Sequence, residues 1–487
     1  MRTAYSVADV RAAERELMAR VPEGALMQRA AAGLAAVCAR LLSGGRGVYG
    51  SRVVLLVGSG DNGGDALYAG ARLARRGAGV GAVLLTPERA HAGGLAALRA
   101  AGGTVADDAE HAVARADLVV DGIVGIGGRG GLRPRAAQLA ALAAGSATVV
   151  AVDLPSGVDA DTGEVAGEAV RADVTVTFGA YKPGLLIDPA RERAGVVHHV
   201  GIGLAPSASP AAEALQHADV ARLLPVPSPE SDKYRRGVVG VVAGSARYPG
   251  AAVLAVAGAL RGGAGAVRYV GPAADAVLAR FPETLVHAGP PHRAGRVQSW
   301  VIGPGIGDEA DALDDVLAAD VPVLVDADGL RFLTPERVRA RTAGTVLTPH
   351  AGEAAALLGT DRAEVEAGRW RAVGELAARF GATVLLKGST TLVADGFGPV
   401  RVNPTGTGWL ATAGSGDVLS GLAGSLLAAG LVPRDAASAG AYLHGLAARF
   451  AAGPDGAPIT AAQVAGRLAA AWRDVGRHTP RTGGTAR

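Results

Sequence analysis

Short runs of β-branched and aliphatic residues recur along this chain, each followed by a stretch with helical spacing. That alternation restricts the fold more than any other feature. The first half carries "RVVLLVG", "VGAVLL", "ADLVVDGI", "ATVVAVDLP", "ADVTVTFG" and "GVVHHVGIGL". The second carries "GVVGVVAGS", "WVIGPGIG", "VPVLVDADGL", "GTVLTPHAGE", "ATVLLKGST" and "TLVADGF". Strands alternating with helices predict parallel sheets with helices on both faces. The fold class is therefore α/β, doubly wound. Residues 1–48 read as helices, with apolar residues at helical spacing. A chain of 487 residues exceeds one ordinary core. The Pro-, Ser- and Ala-rich stretch "LAPSASPAAEALQHADVARLLPVPSPESDKYRRG" is the linker candidate. The expected domains are residues 1–212 and 213–487.

Charge and cysteine content remove several classes. The net charge is +3 and the basic residues are scattered, so no nucleic-acid stripe is expected. The single cysteine, Cys38, excludes an intrachain disulfide or a cysteine metal cluster, and "AAVCARLL" reads as helix core. The opening "MRTAYSVADVRAAERELMAR" contains acids and no long apolar run, unlike a signal peptide. No uninterrupted apolar run reaches the roughly 20 residues of a membrane span. A soluble, cytoplasmic chain without membrane partners is expected.

In a doubly wound sheet the loops at the carboxyl ends of the strands build the site. Three such loops here are chemically loaded: "GSGDNGGDAL", "DGIVGIGGRGG" and "DLPSGVD". Gly58, Gly60 and Gly63 match a dinucleotide-binding G-x-G-x-x-G, but the next strand ends in Thr86-Pro87 without the acid that motif needs. Asp61 and Asp65 would also repel a pyrophosphate. Asn62, Asp121 and Ser156 offer oxygens suited to a hard cation. The glycines between 125 and 131 let backbone amides approach phosphates. Each acid read singly is also a helix cap or turn residue.

In the second half, "ATAGSGDVLSGLAG" frees the backbone at Gly414, Ser415 and Gly416 before an apolar helix, which makes an anion hole. Asp417 at its mouth can take a proton from a hydroxyl attacking a phosphoryl group, or can simply cap the helix. Lys387 follows a strand and can neutralise a nucleotide phosphate, or lie on the surface. His350 in "TPHAGE" can orient a ligand or serve the loop. No protein cage for magnesium is visible. Mg2+ would arrive with a nucleotide, mostly hydrated.

Residues 1–204 resemble the epimerase domain of the bifunctional NAD(P)H-hydrate repair enzymes, through "VGSGDNGGDAL", "DGIVGIG", "DLPSGVD" and "FGAYKPG" in order and spacing. Asp61 and Ala66 stand where that family often has Asn and Gly. The resemblance implies a Rossmann-like domain that interconverts the R and S forms at C6 of the hydrated nicotinamide. It implies substrate contacts from Asp61, Asn62, Gly63, Gly64 and Asp65, from Gly125, Ile126, Gly127, Gly128, Arg129, Gly130 and Gly131, and from Asp153. It also implies potassium on Asn62, Asp121 and Ser156. The reaction needs an acid–base pair. Asp153 is the better base, and Lys182 is the acid or electrostatic partner, unless it is a solvated surface lysine.

Residues 233–450 resemble the ADP-dependent NAD(P)H-hydrate dehydratase, a ribokinase-like α/β domain. The resemblance runs through "GVVGVVAGSARYPGAAVLAVAGALRGGAG", "VIGPGIG", "VDADGL", "LTPHAGEAAALLG", "VLLKGSTTLV" and "GSGDVLSG". It implies substrate contacts at Ala251, Gly305, His350 and Asp417. Nucleotide contacts are implied at Lys387, Gly388, Ser389, Thr390, Thr391 and Gly416. Trp409 and Ala413 replace the usual Met and Gly. The implied partners are NADHX or NADPHX and ADP, in a homo-oligomer. The rival reading is a ribokinase-like vitamin-precursor kinase fused to a ligand-binding regulatory domain. It leaves Asn62, Asp121, Asp153 and Ser156 without a task.

Overall fold

The computed structural model describes residues 1–477 apart from Arg46 and Glu309. Contacts divide the chain into two compact units, Thr3–Ala212 and Met1–Arg2 with Glu213–Arg487.

The first unit is built on seven parallel strands: β1 (Arg52–Val57), β2 (Gly79–Leu84), β3 (Thr104–Val105), β4 (Leu118–Gly122), β5 (Thr148–Val152), β6 (Val174–Phe178) and β7 (Val196–Val200). Their order across the sheet is β3-β2-β1-β4-β5-β6-β7. The central strands are continuous runs of Val and Leu because both faces are covered. Leu55 and Val57 point to one buried cluster, Val54 and Leu56 to the other. Each such fully buried side chain contributes about 1.5–3 kcal/mol. Three helices matter for the site: α1 (Val7–Met18), α2 (Ala25–Ser43) and α3 (Asp61–Ala74). Of the helices described, α2 alone is long and apolar enough to cross a membrane. Here its apolar face, with Ala31, Leu34 and Cys38, joins the core on the sheet. Burial pushes the Cys38 thiol up to about 12.

The second unit has an eleven-stranded sheet, nine of whose strands are β8 (Val238–Val242), β9 (Ala266–Val270), β10 (Leu285–His287), β11 (Ser299–Ile302), β12 (Val323–Val325), β13 (Thr345–Leu347), β14 (Thr383–Leu386), β15 (Thr391–Ala394) and β16 (Val400–Asn403). They run in the order β16-β15-β14-β13-β12-β11-β8-β9-β10. Only the β14–β15 and β15–β16 pairs of this run are antiparallel. Helices α4 (Pro249–Arg261), α5 (Ala351–Leu358), α6 (Ser415–Ala428) and α7 (Pro433–Ala452) carry or support the site. α6 lies against α4 so closely that a Cβ on Gly421 would stand 1.9 Å from the Ala255 carbonyl oxygen. Only glycine permits that approach.

The Pro- and Ser-rich stretch is not all linker. His217–Leu223 forms a helix with a capping box, and Leu215, Val220 and Leu224 join the core of the second unit. Its apolar residues recur at helical spacing, a signal masked by the flanking prolines.

Candidate active sites

In the first unit the winding reverses between β1 and β4. The connections leaving them diverge to opposite faces, opening a crevice at their carboxyl ends. Asp61, Asn62, Gly63, Gly64 and Asp65 open α3, so they sit on a helix start and not in the loop their glycine content suggests. Asn62 Nδ2 donates to the Val152 carbonyl at 2.7 Å. Its Oδ1 faces Gly125, where a Cβ would lie 2.4 Å away, so that residue must be bare. Asp121 is fully buried, and its carboxylate accepts from Ser156 Oγ (2.7 Å), Ser156 N (2.8 Å) and Ile123 N (3.2 Å). Burial pushes it up to about 6 against those three hydrogen bonds. Ser156 Oγ also accepts from Val124 N at 2.9 Å.

This donor set is one amide oxygen, one carboxylate and one hydroxyl. Among the described residues Asp121 has no cationic side chain near it, and no group of three or more His, Cys, Asp or Glu could hold a metal. A buried anion without a counter-charge, among neutral oxygens, fits a hard cation of low charge.

Asp153 follows β5 with φ +66, an uncommon conformation for a residue with a side chain. Its Oδ1 receives Lys182 Nζ, Thr177 Oγ1 (3.0 Å) and Phe178 N (3.2 Å). Lys182 is 1% exposed and also donates to Thr177 Oγ1 and the Phe178 carbonyl. It is not a solvated surface lysine. Asp65 is buried and its Oδ1 has no hydrogen-bond partner. Burial first, then the charges of Asp153, Asp61 and Glu14, raise it well above the usual carboxylate range.

Two residues of this site escape sequence reading, Arg11 and Glu14 on α1. The helix is pinned where Val7 N donates to Asp161 Oδ1 at 2.7 Å and Tyr5 N to the Tyr181 carbonyl at 2.9 Å. Arg11 Nη2 lies 3.2 Å from where a Cβ on Gly127 would stand, against the glycine-rich 125–131 loop. Glu14 is raised chiefly by burial, with Lys182 opposing and Asp153 and Asp61 adding. Their i, i+3 spacing was the available signal, but it reads equally as a solvated helix face.

In the second unit the winding reverses beside β8, which lies between β9 and β11. Gly244 N donates to the Pro304 carbonyl there at 2.7 Å. Ala251 on α4 and Gly305 meet, since a Cβ on Gly305 would lie 2.8 Å from that of Ala251. Asp326, His350 and Lys387 follow the adjacent parallel strands β12, β13 and β14, so they reach the same end of the sheet. Lys387 Nζ lies 2.7 Å from Asp326 Oδ1 and 3.7 Å from Glu353 Oε2. Burial opposes its charge, but Asp326, Glu353 and Asp417 together outweigh that and raise it.

Asp417 stands in the first turn of α6, after Gly414 at φ +83. The first amides of a helix have no intrahelical acceptor; Ser415 N donates to the Thr412 carbonyl at 3.4 Å, and Gly416 and Asp417 present the anion hole. Burial, then Asp326 and Asp328, push the Asp417 carboxyl up to about 7, with Lys387 opposing. A Cβ on Gly416 would lie 3.5 Å from Lys387 Nζ, which joins the hole to the 387–391 loop. That loop is held from below by buried Arg369, whose Nη2 donates to the Lys387 and Thr390 carbonyls at 3.2 and 2.9 Å. Gly388 and Ser389 stay exposed.

His350 is the N-cap of α5. Its Nδ1 accepts from Gly352 N and Glu353 N, and Glu353 Oε2 accepts from His350 N in return. Nε2 of the exposed ring lies 3.5 Å from Glu353 Oε1. His444 on α7 is buried, pushed down to about 4 chiefly by burial, and bonded to the Ser415 backbone.

A groove of about 700 Å³ lined by Thr407, Trp409, Arg449 and Phe450 adjoins the 387–391 loop through Gly406. A larger one of about 820 Å³, lined by Ser51, Asp117, Thr148 and Asp173, lies at the amino ends of the strands in the first unit. It is at the opposite end of the sheet from Asp121 and Asp153.

Residues 239–468 match the NAD(P)H-hydrate dehydratase family, and residues 23–184 match the family described as YjeF-related protein N-terminus. The chain is 51% identical over 478 residues to the bifunctional NAD(P)H-hydrate repair enzyme Nnr of Mycobacterium leprae, covering 96% of this chain and 98% of that protein. It is 37% identical to the enzyme of the same name from Escherichia coli, covering 82% and 81%. Among solved structures it is similar to the ADP/ATP-dependent NAD(P)H-hydrate dehydratase of Bacillus subtilis co-crystallized with ATP/Mg2+. That likeness has a TM-score of 0.50 and 29% identity, over 53% of this chain and 97% of that one.

Proposed function

The chain belongs to the family of bifunctional NAD(P)H-hydrate repair enzymes, and on that premise we propose that residues 1–212 are the epimerase and residues 213–487 the dehydratase. One unit equilibrates the R and S forms of hydrated NADH or NADPH at C6, and the other returns the S form to the reduced nicotinamide with ADP. The two matched ranges fall one in each part, which supports the division.

In the epimerase, Asp153 takes the proton of the C6 hydroxyl as the C6–N1 bond breaks to an open-chain aldehyde and the ring nitrogen receives a proton; rotation about C5–C6 and the reverse transfers close the ring on the other face. Lys182, bonded to Asp153 Oδ1, fixes the direction of that side chain. Asp65, raised and unpartnered, carries the complementary proton and offers an acceptor to the substrate. Asp61, the glycines of 125–131 and Arg129 line the substrate, and Arg11 adds positive charge where phosphates would lie. Asn62, Asp121 and Ser156 would hold potassium. When bound, that ion would neutralise the buried carboxylate and soften the repulsion between these acids and the substrate's phosphates.

In the dehydratase, hydroxide is a poor leaving group and must be activated. Asp417 removes the proton of the C6 hydroxyl as its oxygen attacks the terminal phosphorus of ADP. The new O–P bond forms, the bond to the departing AMP oxygen breaks, and the amides of Gly416 and Asp417 stabilise the charge in transit. The ring nitrogen's lone pair then expels phosphate from C6, and loss of a proton from C5 restores the dihydropyridine. Lys387, Gly388, Ser389, Thr390, Thr391 and Gly416 hold the nucleotide, with Mg2+ on its phosphates. The Trp409 and Phe450 groove suits its base. Ala251, Gly305 and His350 position the nicotinamide.

The observation that carries this reading is Asp417, pushed up to about 7 inside an anion hole beside Lys387. The test is to incubate the protein with hydrated NADH and ADP and follow the return of the near-ultraviolet absorbance of NADH. No recovery with either ADP or ATP would sink it.

A further inference from the structure

We propose that Asp326 is a positioning residue of the dehydration site, tying Lys387 and the first turns of α6 to one carboxylate so that Asp417 works beside a fixed negative neighbour. This rests on the reading of Asp417 as the base.

Asp326 is 1% exposed, and a carboxyl group at that depth needs hydrogen-bonding partners. It has two, from opposite sides of the site. Lys387 Nζ lies 2.7 Å from Oδ1, and Ser420 Oγ donates to Oδ2 at 2.6 Å. The first comes from the nucleotide loop, the second from α6 one turn after Asp417. Ser420 Oγ also contacts the Gly416 carbonyl at 3.0 Å, so the side chain of Asp326 reaches the anion-hole turn through a single hydroxyl.

The backbone on both sides of Asp326 is constrained. A Cβ on Gly303 would lie 1.8 Å from the Asp326 carbonyl oxygen. The next residue, Ala327, has φ +49. Ala327 and Asp153 are the positive-φ residues other than glycine in the described chain, and each adjoins or is a carboxylate of a proposed site. Strain of this kind is retained where surrounding contacts over-determine the geometry.

The charges around Asp417 come from three elements. Asp326 and Asp328 follow β12, Lys387 follows β14, and Glu353 at the start of α5 faces Lys387. His444 on α7, neutral, holds the Ser415 backbone. Of these, Asp326 is the charge that raises Asp417 most and also the one that holds the opposing cation.

The experiment is the pH dependence of dehydration of hydrated NADH with ADP, in the whole protein. In Asp326→Asn the like charge is gone and Lys387 is free to approach Asp417. The acid limb of kcat should move down by about one pH unit, and KM for the nucleotide should rise several-fold. Lys387→Met leaves Asp326 without its cation, so the limb should move up. A thermal melt of the same preparations that keeps the transition of the second unit reports that this unit has folded. An unmoved limb in Asp326→Asn with the second unit's melt retained overturns the inference, even if the rate falls, because loss of packing alone lowers rate without moving it. If Asp326→Asn does not fold, a Lys387→Met limb that stays put or moves down overturns it too. Full turnover in Asp417→Asn would instead remove the base itself, and the inference with it.

Discussion

Lys182 and Asp153 form an ion pair at the end of β5 and β6, with the lysine 1% and the aspartate 7% exposed. Neither charge has water to fall back on. Removing one partner of a buried pair strands the other, at a cost of about 3–5 kcal/mol.

Lys182→Met therefore destabilises the first unit and abolishes epimerisation while dehydration of the S form continues. Thermal melts should show the first unit of the variant unfolding below that of the wild type. An unchanged melt would mean that the pair contributes nothing to stability.

Asp417 lies near 7, so dehydration should rise with pH through about that value as the carboxylate form fills. Asp417→Asn keeps the shape but cannot take the proton, and kcat should fall by about 100- to 10,000-fold with nucleotide binding largely intact. Near-normal turnover would exclude Asp417 as the base.

The strands and their loaded ends could be read from the chain because each carries its own signal, a run of Val and Leu closed by Gly and an acid. Asn62, Asp121, Asp153 and Ser156 were legible for that reason. The opening "GSGDNGGDAL" was misread locally: glycine suggests a loop, but from Asp61 onward it is helix, held on one side by the Asn62 bond to Val152. His350 carried a capping-box signature with Glu353 three residues on, which describes its bonds better than an isolated histidine does. Arg369 and Glu14 were hidden. A charged residue on an amphipathic helix is normally solvated, and only the packing turns these two inward. Asp326 had a signal, an acid at a strand end like Asp153, but nothing local reveals that Lys387 and Ser420 converge on it.

Each unit has its own sheet and buried clusters, so each should fold and act alone. A chain beginning at Glu213 should dehydrate only the S form, and residues 1–212 added to it should restore use of the R form. It should melt somewhat lower than the corresponding part of the full protein, because the amino group of Met1 pairs with Asp219 at 2.6 Å. Consumption of both forms by the C-terminal half alone would show the division of labour to be wrong.

The first unit is the stricter test of the ion reading, because its proposed ligands also hold one another. Asp121 and Ser156 are bonded together at 2.7 Å, so changing either disturbs the fold. Asn62 is the cleaner probe. Its Nδ2 bond to Val152 is one neutral hydrogen bond, whose loss costs about 1 kcal/mol. Among the described residues no hydrogen bond reaches its Oδ1, which is the atom offered to a cation. Asn62→Ala should weaken epimerisation and blunt its response to potassium over sodium, while dehydration of the S form, carried out in the other unit, is unchanged. The measurement is both activities with potassium, with sodium and without added salt, alongside a melt. Loss of epimerisation with a strongly lowered melt of the first unit, equal in all three salt conditions, would assign Asn62 to folding. Undiminished epimerisation with an unchanged potassium response would mean that the Asn62, Asp121 and Ser156 oxygens hold no such ion, and that the buried carboxyl of Asp121 is kept neutral by its proton instead.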